Sequence, residues 1–596
     1  MQHGPASGRI TAKSSNFKET WGKLLNYFNQ YWLIMILALL ASSIGSILTL
    51  IGPDKLSELT DIITKGMMSE IDMKAIQSIG WTLVFFYGLS AVLSLSQGFI
   101  MATVTQRISK SLRTDLSTKI NDLPIAYFDK HTTGDILSRV TNDIDTISQS
   151  LNQSISTLVT AITMLVGSLV MMFLTNVILT ITAIVSTLIG FALMMLIMMN
   201  SQKFFKRQQK DLGEINGHIE EIYSNHQTVK VYNGDEDAIN HFNTINHSLQ
   251  DSGFKAQSLS GLMMPIMGFV GNLGYVAVCI VGAILAFRGD ISLGVIVAFI
   301  LYVRFFTQPL SQLAQASQAL QSTAAAAERV FEMLETEEMV DETEKVETLS
   351  NIKGDVSFEN VSFSYPNSDK AVIHDFSAQA KAGQKIAIVG PTGAGKTTII
   401  NLLMRFYEVS GGSIKIDNIP TADLKRETVR DQFSMVLQDT WIFNGTVREN
   451  LVYSIQNVSD EKVIEASKAV GLDHYISTLT HGYDTVLNDQ VSLSEGQKQQ
   501  ITIARAMIAD KPMLILDEAT SSVDTRTELH IQNAMDQLMT GRTSFIIAHR
   551  LSTIKNADLI LVMKDGDIIE SGNHDYLMEH GEFYANLYNS QFDVVE

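Results

Sequence analysis

Three groups of residues in the C-terminal half of this 596-residue chain have types and spacing suited to phosphate chemistry. The first is Gly390-Pro391-Thr392-Gly393-Ala394-Gly395-Lys396-Thr397, a match to G-x-x-x-x-G-K-[ST]. Its glycines Gly390, Gly393 and Gly395 let backbone N–H groups converge on one concavity, and a helix beginning near Lys396 adds the positive end of its dipole. Lys396 reaches the terminal phosphates, Thr397 offers a hydroxyl to Mg2+, and Thr392 and Thr398 complete the ATP-binding set. The second group is the carboxylate pair Asp517-Glu518 at the end of an apolar run. Asp517 is placed to hold Mg2+ through water, and Glu518 to orient or deprotonate the attacking water. The third is Leu493-Ser494-Glu495-Gly496-Gln497, whose serine hydroxyl and helix N-terminal N–H groups meet a phosphate. The phosphate loop marks a nucleotide binder.

The elements that must hold these groups are legible in the surrounding pattern. From about Gly354 onward, short apolar β-branched runs at 385–389, 513–516 and 543–548 alternate with helical patterns. Such runs suit parallel strands buried on both faces, hence a soluble α/β domain. Upstream the chain changes character. A hydrophobic content of 46 % is high for a soluble enzyme. Uncharged stretches of the order of the about 20 residues that cross a bilayer recur at 31–53, 79–106, 146–202, 256–287 and 291–303. The third must turn near Thr175-Asn176, and the last resumes beyond Arg304, so six spans are expected. Two long connections are basic, one with Arg107, Lys110, Arg113, Lys119, Lys130 and Arg139, the other with Lys203, Lys206, Arg207, Lys210, Lys230 and Lys255. Such loops stay cytoplasmic. The connections at 54–74, 175–176 and 288–290 then face outside, and both termini are cytoplasmic.

The expected order is an N-terminal segment 1–30, an all-α six-helix transmembrane domain 31–334, an acidic linker 335–353 and an α/β P-loop domain 354–596. The first thirty residues contain no short apolar core with a cleavage site, so no secretory signal is read there. A net charge of -19 argues against nucleic acid as a partner. The one cysteine, Cys279, sits in an apolar run and forms no internal disulfide.

In this arrangement the chain resembles the ATP-binding cassette exporters over nearly its whole length. The resemblance implies that Tyr365 in Phe363-Ser364-Tyr365 stacks on adenine and that Gln438 in Val436-Leu437-Gln438-Asp439 binds Mg2+. It also implies that Asp524 in Ser521-Ser522-Val523-Asp524 belongs to the D-loop and that His549 in Ala548-His549-Arg550 contacts the γ-phosphate. Residues 123–129 and 133–143 look like the first cytoplasmic coupling loop of such exporters. Residues 228–235 look like the second, which in the family docks on the partner chain's ATPase domain. A single chain then holds half of each ATP site, a half-transporter. ATP-driven closure of two such domains turns the membrane cavity outward.

Glu495 departs from the glycine that the family carries there, and 487–492 departs from the family's approach to the pentapeptide. An extra negative charge pointing inward at about 7 Å from a phosphate costs about 2 kcal/mol at an effective dielectric of about 20. An intact Lys396, Asp517, Glu518 and His549 beside an altered signature is the pattern of the catalytic half of an asymmetric heterodimer, whose other half has a degenerate site. Amphipathic or hydrophobic compounds of the multidrug kind are the expected cargo. A lipid or peptide exporter and an ATP-gated, channel-like relative are the alternatives. Met194-Met195, Met198-Met199, Met263-Met264 and Met267 suit adaptable apolar surfaces, and Arg304 is a charge inside a span. A bacterial plasma membrane is the expected location.

Overall fold

The computed structural model describes residues 17–67, 70–349, 352–366, 368, 370–437, 440–488, 493–517, 525–547 and 554–590. Its contacts divide it into two units, Met1–Asp122 with Thr132–Glu337, and Leu123–His131 with Glu338–Glu596.

The first unit is helical. Its long helices are Trp32–Gly66, Met73–Asp122, Ile144–Thr175, Val177–Ser224, Asp235–Gly261, Met263–Phe287 and Leu293–Glu335. Five helical stretches among the described residues are long and apolar enough to cross a membrane. The stretch expected as the fifth span breaks at Leu262, and the helix that follows, Met263–Phe287, has 25 residues. Asn176 turns the chain between the third and fourth spans, its side chain accepting from the Leu179 N–H at 3.0 Å as an N-cap. The first helix does not stop where its uncharged run stops. It continues through Pro53 to Gly66 and takes Asp54, Glu58 and Asp61 with it. The expected loop at 54–74 is therefore mostly helix. Hydroxyls join the helices, Ser42 to Thr160 at 2.8 Å and Thr49 to Ser90 at 3.2 Å. In an apolar surrounding such bonds hold helices together where hydrophobicity supplies little. Large apolar side chains such as Trp81, Leu95 and Phe99 are left exposed, as a lipid-facing surface requires.

The second unit is built on a six-stranded sheet in the order Asp567–Gly572, Leu559–Lys564, Lys385–Val389, Thr543–Ile547, Met513–Asp517, Phe433–Val436. All neighbours are parallel except the Asp567–Gly572 edge. Along its central strands successive side chains enter two different cores. Ala387, Val389, Leu514, Leu516 and Ile546 join one, and Ile386, Ile388, Met513, Ile515, Phe545 and Ile547 join the other. That is why these runs read as continuously apolar rather than alternating. A smaller antiparallel sheet, ordered Ile373–Ala380, Val356–Phe363, Gly411–Ile416, Ile419–Pro420, closes over the second core. Residues 123–131, which the sequence places between the second and third spans, group with this unit. Leu123 and Tyr127 are buried, and Ala126 packs on the second core.

Candidate functional site

The parallel strands end together on one edge of the six-stranded sheet, and that edge collects the predicted chemistry. Lys385–Val389 leads into the phosphate loop, and Met513–Asp517 ends in Asp517. Thr543–Ile547 lies between them, with Ile547 paired to Asp517 on one side and Ile388 on the other. Ligands of open α/β sheets gather at such carboxyl ends. Four predicted residues, Gln438, Glu518, Asp524 and His549, lie outside the described residues. The strands that run into three of them, ending at Val436, Asp517 and Ile547, all belong to this edge.

The loop's geometry explains its glycines. Gly390 has φ 154°, and a Cβ there would sit 2.2 Å from the Met563 carbonyl oxygen. Gly395 has φ 99° and serves as N-cap of the helix Lys396–Leu403, with no side chain closing the cap. The first-turn N–H groups of that helix are thus left to meet an anion. Lys396 Nζ donates to the carbonyls of Gly390 at 2.8 Å and Pro391 at 2.9 Å, folding its charge over the loop. Burial lowers its pKa, and the nearby charge of Asp517 opposes that. Lys396 and the strand-end carboxylate are therefore brought to one place. Thr392, Gly393 and Thr397 are exposed at the loop surface.

Thr398 is oriented differently from Thr397. It is buried and shares a hydrogen bond of 3.1 Å with the Tyr365 hydroxyl. Tyr365, half-buried, makes edge contacts with Phe363 at 4.8 Å and Tyr407 at 5.1 Å between ring centroids. The tyrosine expected at adenine is thus anchored by its hydroxyl to the helix that follows the phosphate loop.

Two residues just past that helix were not singled out from the sequence. The Tyr407 hydroxyl donates to the Asp129 carboxylate on the helix Ile125–Lys130, and burial first, then that bond, raises its pKa. Arg405, buried and in the left-handed region at φ 51°, donates to Glu342 at 2.8 Å and to the Leu424 carbonyl at 2.6 Å. Burial alone would push the Glu342 carboxyl up. The Arg426 backbone N–H, Lys345 and the charges of Arg405 and Arg426 outweigh it and hold the group at about 2. The acidic segment thus contains a fixed anchor. A positive φ at a bulky residue is the structural signal, and nothing in the residue types alone announces it.

The pentapeptide starts the helix Glu495–Ala509. Ser494 caps it, its hydroxyl accepting from the Gln497 N–H at 3.2 Å while its own N–H donates to Gln497 Oε1 at 2.9 Å. This is a closed capping box. Gly496 is buried, and Ser494 and Glu495 are exposed. Glu495 carries 61 % of its side-chain surface free and pairs with Lys498 at 2.7 Å. Its charge points outward and is partly neutralised.

Comparison with known proteins agrees with both units. Residues 33–310 match the family model described as the ABC transporter transmembrane region, and residues 373–521 match the model described as ABC transporter. A fatty acid ABC transporter ATP-binding/permease protein of Mycobacterium bovis is 45 % identical over 517 residues, covering 86 % of this chain and 81 % of that protein. An uncharacterised ABC transporter ATP-binding protein of Bacillus subtilis, YfiC, is 40 % identical over 98 % of this chain and 96 % of its own length. An ATP-dependent lipid A-core flippase of Methylobacillus flagellatus is 32 % identical over 98 % of this chain and 99 % of its own. With both regions on a single polypeptide, the chain belongs to the ABC transporter family and is a half-transporter, a multi-pass membrane protein that binds ATP and couples its hydrolysis to transport.

Proposed function

We propose that this chain exports amphipathic, lipid-like compounds across the bacterial plasma membrane as one half of a dimer, with its ATPase unit in the cytoplasm. The observation that carries the reading is the convergence of Lys396, Thr397 and Asp517 on one sheet edge, while the signature helix is closed by its own cap. ATP held on this chain's loop then needs the signature of another chain to complete its surroundings. The relatives named for a fatty acid and for lipid A-core favour lipid over the broader multidrug range. Within the site Tyr365 stacks on adenine, the loop N–H groups and Lys396 hold the phosphates, Glu518 orients or deprotonates the attacking water, and His549 contacts the γ-phosphate. The oxygen donors fit Mg2+: Thr397 exposes its hydroxyl in the first helical turn and Asp517 ends its strand beside Lys396. Bound there, with Gln438 as a further ligand, the ion supplies neutralisation of phosphate charge. The D-loop around Asp524 meets the opposite half.

A partner of different sequence, carrying a degenerate catalytic site and a glycine in its signature, is the arrangement Glu495 favours. The pairing of Glu495 with Lys498 favours a second reading, two identical halves, because it removes much of the charge that would weaken the lid. Reconstitution in vesicles tests the function. ATP-dependent flipping of a labelled lipid that is abolished by Glu518→Gln is expected; downhill ion flux without uphill movement would overturn export in favour of a gate. Vigorous turnover by the purified chain alone would select identical halves.

A further inference from the structure

The helix Leu293–Glu335 has two faces of opposite character. On one, Ala298, Phe299, Tyr302, Val303, Pro309 and Ala316 are buried. On the other, Arg304, Gln308, Gln315 and Gln318 are exposed, and none of these side chains has a hydrogen-bond or ion-pair partner among the described residues. Steps of four, seven and three residues at about 100° each keep them within about 40° of one line. At about 1.5 Å per residue the stripe runs about 21 Å.

Depth follows from a fixed point. The Gly294 N–H donates to Asp61 at 2.9 Å, tying the start of this helix to the end of Trp32–Gly66. Arg304 lies ten residues further along, about 15 Å from that tie. A guanidinium at such a depth is costly against hydrocarbon and faces the bundle interior or a water-filled space, and the glutamines continue its line to Gln318, about 36 Å from the tie and so past the about 30 Å of a hydrocarbon core. In a half-transporter that space is shared with the partner half. The acidic residue nearest in level is Asp54, seven residues before Asp61 and so about 10 Å from the tie; it too is exposed.

We propose that Arg304 anchors the anionic headgroup of the cargo, a carboxylate or phosphate on a long alkyl chain, and that Gln308, Gln315 and Gln318 form a polar track leading from it toward the far end of the span. This rests on the export reading and adds the charge class of the cargo. The guanidinium fork matches a planar carboxylate or a phosphate with two parallel bonds, whereas a neutral headgroup leaves it unpaired. The exposed Met195, Met198 and Met199 of Val177–Ser224 are adaptable apolar side chains of the kind an alkyl chain requires.

Direct binding to the full chain in nanodiscs, without ATP, is the test, using a fluorescent long-chain fatty acid, the matching alkyl phosphate and the matching alcohol. The carboxylate or the phosphate binds about tenfold or more tightly than the alcohol, and the stronger of the two names the headgroup. Arg304→Gln removes that preference, and Arg304→Lys keeps part of it. Unchanged discrimination in Arg304→Gln overturns the proposal while leaving export standing. Flipping that fails while the preference holds sinks export and leaves the anion site. If Arg304→Asp and Asp54→Arg each abolish dimer formation and the double variant restores it, Arg304 pairs with Asp54 of the other half, which overturns the anchor. Thermal unfolding of each variant separates these outcomes from misfolding, and Arg304→Lys supplies a folded comparison.

Discussion

Two helix starts in the same unit are expected to meet phosphate, and they are built in opposite ways. The helix Lys396–Leu403 begins behind Gly395 with no side-chain cap and a lysine in its first position. The helix Glu495–Ala509 begins behind Ser494, closed by a capping box, with a carboxylate in its first position and Lys498 drawn onto it. The first leaves its N–H groups and a positive charge for a ligand. The second satisfies itself, and a phosphate reaching it must compete with Gln497 for the Ser494 hydroxyl's surroundings. The difference suits the roles proposed for them, a loop that binds ATP and a signature that acts as a lid over ATP held by another half. The helix ends repeat the theme with similar means, since Arg405 at φ 51° and Asp510 at φ 53° both turn left-handed and both join an ion pair, Arg405 to Glu342 and Asp510 to Arg542.

The comparison breaks most easily at Lys396. Lys396→Ala removes charge-assisted bonds to phosphate of about 1.5–3 kcal/mol, so ATP affinity falls about tenfold to a hundredfold, as equilibrium binding of a fluorescent ATP analogue measures. Were the signature the primary binding element, Lys396→Ala would leave affinity intact. Ser494→Ala comes next. Loss of the cap costs about 1 kcal/mol of local stability and leaves ATP affinity of the same chain near its original value while turnover of the dimer drops; equal losses in affinity would erase the distinction between loop and lid. Glu495→Gly has a smaller effect. It removes a negative charge that is already outward and paired, so turnover at the site this signature covers rises by only a few-fold, about 1 kcal/mol or less.

The last test acts at the far end of the loop helix. The Glu342 carboxyl is held at about 2, below its ordinary 4.5. A depressed carboxyl contributes stability that is present above the unfolded value and is lost as pH falls through the folded one. Unfolding midpoints of the wild type therefore fall between pH about 4.5 and about 2 more steeply than those of Glu342→Gln. Parallel curves would show that the anchor does not hold.

Much of the site is legible in the residue order because phosphate binding constrains local backbone. Gly390, Gly395, Lys396 and Asp517 announce themselves through a motif that needs strand, loop and helix in sequence. The two-core sheet is equally legible, since strands buried on both faces are mostly apolar, with few exceptions such as Ser434, Thr543 and Ser544. The links made by Tyr407 and Arg405 are not, because their partners Asp129 and Glu342 are distant in sequence and lie in segments that read as a loop and an acidic linker. The direction of Glu495 also depends on Lys498, one turn away, which a consensus comparison passes over. In the membrane unit apolar runs locate the helices but not their ends. The first helix carries Asp54 beyond its uncharged stretch because backbone hydrogen bonding continues past Pro53, and the expected 256–287 stretch is divided at Leu262 between two helices.

The central claim is that each ATP is hydrolysed only between two halves. Nanodiscs containing a single copy of the chain, compared with nanodiscs containing two halves, test it through ATP binding and phosphate release on the same samples. Single-copy discs are predicted to bind ATP and release almost no phosphate, with turnover appearing only in discs that hold two halves. Phosphate release from single-copy discs at the two-half rate would contradict the account.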